Sequence, residues 1–509
     1  MMATKRGRTA CYLRGMSDPA SAELPGILSE LESDALAPAA EELVAVAVDY
    51  LSATREGEGP VSTPLTPREL ARLFDEPLPR RGRPLAEVAG RLRHEVVPAS
   101  NRLCHPRSMG HQVSAPLPAA VWTEPLAAAL NQSLAVFEMS PAGTAIEGRV
   151  VRWMCDLAGF GPAAGGTFTS GGTEATFTAL LAARAAALPD AWAKGVGAES
   201  PVVLHGEHAH YAVSRAAGAL GIGTDAAVAV PSRGYRMDVA ALEAELDRQA
   251  ARGRPVMAVV ATAGSTATGS FDDLEAIGRL CEARDVWLHV DGAHGASALL
   301  STVHRGRLRG VERARSLAWD PHKMMLMPLS AGAVLVRDER DLDAAFAQRA
   351  PYLFHGAEGE RSPDQGKRSF QCSRRLDALK VWVAFQRYGA DGLGLLYDRL
   401  CATARVLHAS LAARRDFETL HEPESNILCF RFVGDGGLGA ERLDAINLRL
   451  REAFNRSGEG WITTTLLGGR RVLRATLMNP RTTNADLDRV IEGLARLGRE
   501  IAAGSADRP

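Results

Sequence analysis

Short apolar runs alternate with amphipathic segments through the middle of the chain. Val202 to Leu204, Ala226 to Val230, Val256 to Ala261, Val286 to Val290 and Gly332 to Val336 are apolar over successive positions. Strands of that kind are buried on both faces, and helical stretches between them predict a mostly parallel sheet in an α/β fold. From Ile27 to Leu51 apolar residues recur at helical spacing, and the Gly/Pro/Thr-rich stretch Glu56 to Pro67 reads as a linker. A further helix is predicted over Leu85 to Val97, whereas residues 1 to about 25 carry weak patterning and predict a mobile arm. From roughly Gly389 the chain mixes a long helix, strands at Ile427 to Phe432 and Arg471 to Leu477, and a closing helix from Asn484. The pattern therefore predicts an N-terminal helical arm or dimerisation segment (1–115), a large α/β domain (116–390) and a small C-terminal α+β domain (391–509).

Composition narrows the class of partner. A chain of 509 residues is longer than one hydrophobic core usually serves, in keeping with several domains. Its 59 basic and 60 acidic residues leave a formal net charge of −1, which gives no electrostatic reason for a nucleic-acid or anionic-membrane partner. No apolar run reaches membrane-spanning length, and the N-terminal segment lacks the apolar stretch of a secretory signal. Seven scattered cysteines without a Cys-x-x-Cys pair predict a reducing cytoplasm.

Four segments carry chemistry. The run Val286 to Val290 leads into Asp291-Gly292-Ala293-His294-Gly295, and an acid at the carboxyl end of a parallel strand sits where open α/β sheets bind ligands. Such a carboxylate could serve a ribose, a metal or a protonated ring nitrogen, or merely cap the next helix. Lys323, in Trp319-Asp320-Pro321-His322-Lys323, is followed by Met324, Met325 and Leu326, an apolar setting that favours a neutral, nucleophilic amine. Together an acid and a carbonyl-reactive lysine suit pyridoxal 5′-phosphate (PLP), which needs a Schiff-base lysine and a partner for its pyridine nitrogen. Thr169 to Thr176 (TSGGTEAT) opens an Ala/Leu-rich helix, and its glycines and free N–H groups suit a phosphate. His205, His208 and His210 invite a metal, but no thiolate cluster or His-Glu-x-x-His helix accompanies them, and an imidazole stacked on a planar cofactor fits better. No metal is predicted. Gly159 to Ala164 matches a loose dinucleotide pattern, yet it follows a helix and contains Pro162, which disfavours a nicotinamide site.

Taken together, these segments resemble the group II PLP-dependent amino-acid decarboxylases, which include glutamate, aromatic-L-amino-acid and 2,4-diaminobutyrate decarboxylases. The similarity runs from about His105 to Leu497, through His-Pro-Arg at 105–107, NQSLAVFEMSPAGTAIE at 131–147, TSGGTEAT, HVDGAHG, WDPHK and QCSRRLDALKVW at 371–382. It implies the aspartate-aminotransferase fold (fold type I), a homodimer, and PLP-dependent decarboxylation of an L-amino acid, with the 2,4-diaminobutyrate and glutamate types nearest. It also implies roles: Lys323 carries the cofactor, Asp291 pairs with its ring nitrogen, His210 stacks on the ring and Ala293 packs beneath it. Gly171, Gly172 and Thr173 hold the phosphate with help from Ser316 and His322, and Thr266 lies beside cofactor or substrate. Tyr352 resembles the loop tyrosine that protonates the carbanionic carbon, and its retention argues against the alternative of an oxygen-dependent decarboxylating deaminase. Arg474 resembles an arginine that binds a substrate carboxylate. His111, Gln112 and Phe137 are candidates for substrate selection, with an aromatic or aliphatic amino acid as a further alternative.

Overall fold

The computed structural model describes residues 36–197, 200–348, 350–354 and 362–504. The start of the helix expected from Ile27, and the weakly patterned arm before it, lie outside the described residues. Contacts divide the chain into two units, the first made of Met1–Glu58 with Leu65–Asn101 and the second of Gly59–Pro64 with Arg102–Pro509. Within the first, a helix spans Leu36–Arg55, and a short one over Pro67–Leu73 starts where the linker was expected to end. Its start is encoded locally. Thr66 Oγ1 accepts from Glu69 N–H, the Glu69 carboxylate accepts from Thr66 N–H, and Pro67 takes the first helical position. The segment Leu85–Arg91 is α-helical and continues as one π turn, Leu92–Val96, with Arg91 paired to Glu95 one turn on.

The second unit is built on a seven-stranded sheet in the order β1-β9-β8-β7-β6-β2-β3. Its strands are β1 (Gly165–Thr169), β2 (Val202–Gly206), β3 (Ala227–Val230), β6 (Val256–Thr262), β7 (Trp287–Asp291), β8 (Ser316–Trp319) and β9 (Gly332–Val336), with a small hairpin of β4 (Ser232–Arg233) and β5 (Arg236–Met237) beside it. All neighbours in the large sheet are parallel except β9, which runs antiparallel to both β8 and β1. Five of the strands follow the apolar runs of the sequence, and β7, β8 and β9 are buried at every residue. β1 was not predicted, because Gly-Gly-Thr-Phe-Thr offers no apolar run. The helix Gly172–Ala187 crosses the middle of the sheet, its Ala175 and Ala179 packed on Ala318 and Val334. Small residues there let the helix axis approach the strands, which matters because its first turn enters the site.

A second, four-stranded antiparallel sheet is ordered β10-β11-β13-β12, from β10 (Phe417–Thr419), β11 (Ile427–Phe432), β12 (Thr463–Leu467) and β13 (Arg470–Thr476). Its helices Ala440–Ser457 and Asn484–Ala502 bury Leu450, Phe454 and Leu494 against Phe430, Phe432 and Leu473, each such side chain contributing about 1.5–3 kcal/mol. The long helix runs Ala378–Ala412 and bends at Gly389, whose φ of 69° breaks the helical path. It therefore begins eleven residues before the predicted start, since its first half packs on the large core through Ala378, Val381 and Ala384. No helix among the described residues is long and apolar enough to cross a membrane.

One buried ion pair ties the layers together. Arg374 meets both oxygens of Glu147 at 2.8 and 2.6 Å, while Glu147 also accepts from Phe168 N–H on β1. Removing one partner leaves an uncompensated buried charge, so Glu147→Ala is expected to cost about 3–5 kcal/mol, read as an earlier urea-unfolding midpoint.

Candidate active site

The carboxyl ends of β1, β6, β7 and β8 all point to one edge of the sheet, and β9 starts there. A cavity of about 410 Å³ opens at that edge. Its wall includes Ser170, Gly171, Gly172 and Thr173 after β1, His210 after β2, Thr262, Gly264 and Thr266 at and beyond the end of β6, Asp291 and Ala293 from β7, and His322 and Lys323 after β8. Ten of the residues singled out in the sequence are thus brought to one place by the sheet, counting Gln112 with the nine from these turns other than Ser170, Thr262 and Gly264.

Local bonding explains the placement. Asp291 ends β7 and accepts from Ala293 N–H at 3.2 Å, which turns the chain and sets Ala293 on the cavity wall. Asp320 N–H donates to Ala293 O, and Lys323 N–H donates to Asp320 O, so the lysine turn is hung from the aspartate turn. The Lys323 amine lies 3.1 Å from Asp320 Oδ2, the oxygen that also accepts from Gly172 N–H at 3.0 Å. Asp320 is 1% exposed and was not singled out in the sequence, although it stands three residues before the lysine. Its room is made by missing side chains: a Cβ on Gly332 would lie 2.5 Å from Gly171 Cα and 2.8 Å from Asp320 Oδ1. A methyl group there displaces the backbone at Gly171, so Gly332→Ala is expected to weaken retention of the expected cofactor, read by dialysis and residual absorbance.

Burial favours the neutral rings of His210 and His322. Burial lowers the pKa of His210, with the Asp291 charge opposing and the Lys323 charge reinforcing the shift. His210 Nδ1 accepts from Ala212 N–H, which leaves the proton of the neutral ring on Nε2. Burial likewise lowers His322, whose Nδ1 lies 2.7 Å from Ala331 O. His205 and His208 face elsewhere: the first bonds Gly206 O and the second stands beside Glu207. Among the described residues no cluster of His, Cys, Asp or Glu could hold a metal ion.

Other predicted residues lie outside the cavity wall. Ser316 starts β8 at the opposite edge of the sheet, where its buried hydroxyl meets Trp287 Nε1 at 2.8 Å and His289 Nδ1 at 2.9 Å. Arg474, on β13, donates to Thr266 O at 2.7 Å and Gly110 O at 3.4 Å. It is buried, burial lowers its pKa, and no carboxylate pairs with it among the described residues. His111 packs edge-on against Trp461. Phe137 is 43% exposed and Tyr352 84% exposed, and neither reaches this cavity in the single chain.

Four buried polar atoms of the lining residues have no partner among the described residues: Gln112 Nε2, Thr262 Oγ1, His294 Nδ1 and Asp320 Oδ1. Gly171, Gly172 and Thr173 at the start of the helix Gly172–Ala187, the Lys323 amine and the Asp291 carboxylate share one cavity, a set suited to a phosphate, a carbonyl and a protonated ring nitrogen. The residues fit pyridoxal phosphate.

Comparison with known proteins agrees. The model of the pyridoxal-dependent decarboxylase conserved domain matches residues 67–433. L-2,4-diaminobutyrate decarboxylase of Rhizobium meliloti is 38% identical over 431 residues, 84% of each chain. Human cysteine sulfinic acid decarboxylase is 33% identical over 448 residues, 86% of this chain and 90% of that one. The crystal structure of mouse CSAD superposes with a TM-score of 0.86 at 30% identity, covering 92% of this chain and 99% of that one.

Proposed function

The chain belongs to the pyridoxal-dependent decarboxylases, PLP-dependent carboxy-lyases acting on amino acids, and from that premise we propose that its substrate is L-2,4-diaminobutyrate. The observation that carries the choice is the 38% identity to the Rhizobium meliloti enzyme of that name, spread over 84% of both chains. A second reading, an acidic substrate such as cysteine sulfinate, is favoured by the 33% identity to the human enzyme.

In this reading Lys323 would hold the cofactor, Gly171, Gly172 and Thr173 with His322 would hold its phosphate, Asp291 would pair with its ring nitrogen, and His210 and Ala293 would pack against the ring. Bound, the cofactor supplies a conjugated ring that takes up the electron pair left when the Cα–carboxylate bond breaks. Asp291 keeps a proton on the ring nitrogen by its charge. Neutral His210 covers the ring without competing for that pair, and with Ala293 it excludes water from the reacting carbon. Arg474, buried and without a carboxylate partner among the described residues, is suited to a substrate carboxylate, its guanidinium oriented by Thr266 O and Gly110 O.

The enzyme is proposed to act as a cytoplasmic homodimer, divided at 115/116 and 390/391 as the sequence suggested. Exposed apolar side chains on the second unit, among them Trp122, Leu126, Leu130, Met139 and Phe370, support a self-association surface. Tyr352 and Phe137, remote from the cavity of their own chain, would then serve the partner's cavity, with the Tyr352 hydroxyl delivering the proton to Cα. An amine-release assay across diamino, acidic and aromatic L-amino acids tests the function. Stoichiometric 1,3-diaminopropane and CO2 from diaminobutyrate are expected; ammonia and peroxide without amine would contradict it.

A further inference from the structure

We propose that Glu174 is a positioning residue for the cofactor phosphate, with Gln371 holding Glu174 in place; this rests on the reading above that the turn at Gly171 to Thr173 carries that phosphate. The helix Gly172–Ala187 starts from Gly171, which has no side chain to cap it. Two successive glycines leave the backbone wide freedom, so the turn needs a brace to present its N–H groups in one direction. Glu174 supplies it. Its carboxylate stands at the third helical position, where the helix dipole favours an anion, and it reaches back past Gly171. One oxygen, Oε2, accepts from Ser170 N–H at 2.9 Å, from the Ser170 hydroxyl at 2.6 Å and from Gln371 Nε2 at 2.6 Å.

The brace is selective. Ser170 gives its N–H to Glu174, and Gly172 gives its N–H to Asp320 Oδ2 at 3.0 Å. Gly171 N–H and Thr173 N–H meet no acceptor among the described residues. A carboxylate bond on either side of Gly171 therefore fixes the peptide planes and leaves two donors to a phosphate. Ser170 lines the cavity and Glu174 does not, so Glu174 acts through the turn and not on the ligand. Its charge repels a phosphate; what the turn uses is the acceptor oxygen. Gln371 in turn belongs to the segment Gln371-Cys372-Ser373-Arg374, whose arginine is locked on buried Glu147 at 2.8 and 2.6 Å. The far end of the brace is thus anchored in the core.

The experiment strips the full-length enzyme of cofactor and titrates it with PLP and with pyridoxal, which keeps the ring and the aldehyde but has no phosphate. Binding is read through the visible absorbance of the enzyme-bound form, and the wild type is expected to hold PLP far more tightly. Glu174→Ala should raise the Kd of PLP by about 10-fold and leave that of pyridoxal unchanged. Glu174→Gln keeps an acceptor oxygen without the charge and should retain most of the PLP affinity. If Glu174→Ala does not fold, Gln371→Ala, which frees the carboxylate from its other anchor, is expected to weaken PLP alone by about 3-fold. Equal weakening of both ligands, or of neither, overturns the role of Glu174. A wild-type enzyme that binds pyridoxal as tightly as PLP overturns the phosphate reading on which it rests.

Discussion

Lys323→Ala is expected to remove the visible band of the enzyme-bound cofactor and to lower kcat by at least about 10³-fold. The amine lies inside the cavity, at the one point where the turns after β1, β7 and β8 meet, and it is held there by Asp320 Oδ2 at 3.1 Å. Alanine leaves the phosphate turn and the Asp291 face intact, so the cofactor can still enter but has no amine to join. Absorbance spectra and single-turnover CO2 release check the two halves separately. A variant that keeps the band would place the reactive amine elsewhere.

Asp291→Asn is the second large effect, about 10²- to 10³-fold in kcat. The asparagine keeps the oxygen that Ala293 N–H donates to, so the turn and the wall it forms should survive. What is lost is a negative charge buried to 8% exposure, whose attraction for a ring proton is not diluted by water. The loss should therefore fall on kcat, with thermal unfolding of the loaded enzyme little altered. Equal activity in the variant would show that the ring nitrogen needs no charged partner here.

Much of this architecture was legible in the chain because the chemistry is concentrated at strand ends. An uninterrupted apolar run followed by Asp291, or by Asp320 to Lys323, marks both a buried strand and the edge at which it binds. The site residues that the sequence did not reveal depend on contacts between distant segments. Asp320 matters through Gly172, 148 positions away, and Glu174 through Gln371, 197 positions away. Gly332 is necessary because Gly171 and the Asp320 carboxylate pass beside it. β1 escaped notice since its pairing with β9, and not its composition, makes it a strand. Ser316 shows the converse. A serine beside a reactive motif invites a ligand role, yet its hydroxyl is taken by Trp287 and His289 at the far end of the strand. Tyr352 and Phe137 were singled out by motif, while their exposure in the single chain was not legible.

The most direct test of the account is to reduce the PLP-loaded enzyme with borohydride, digest it and map the cofactor by mass spectrometry. The pyridoxyl group is expected on one peptide, fixed to Lys323, with loss of amine release in proportion to the labelling. A label on another lysine, or full decarboxylation after complete labelling of Lys323, would contradict it.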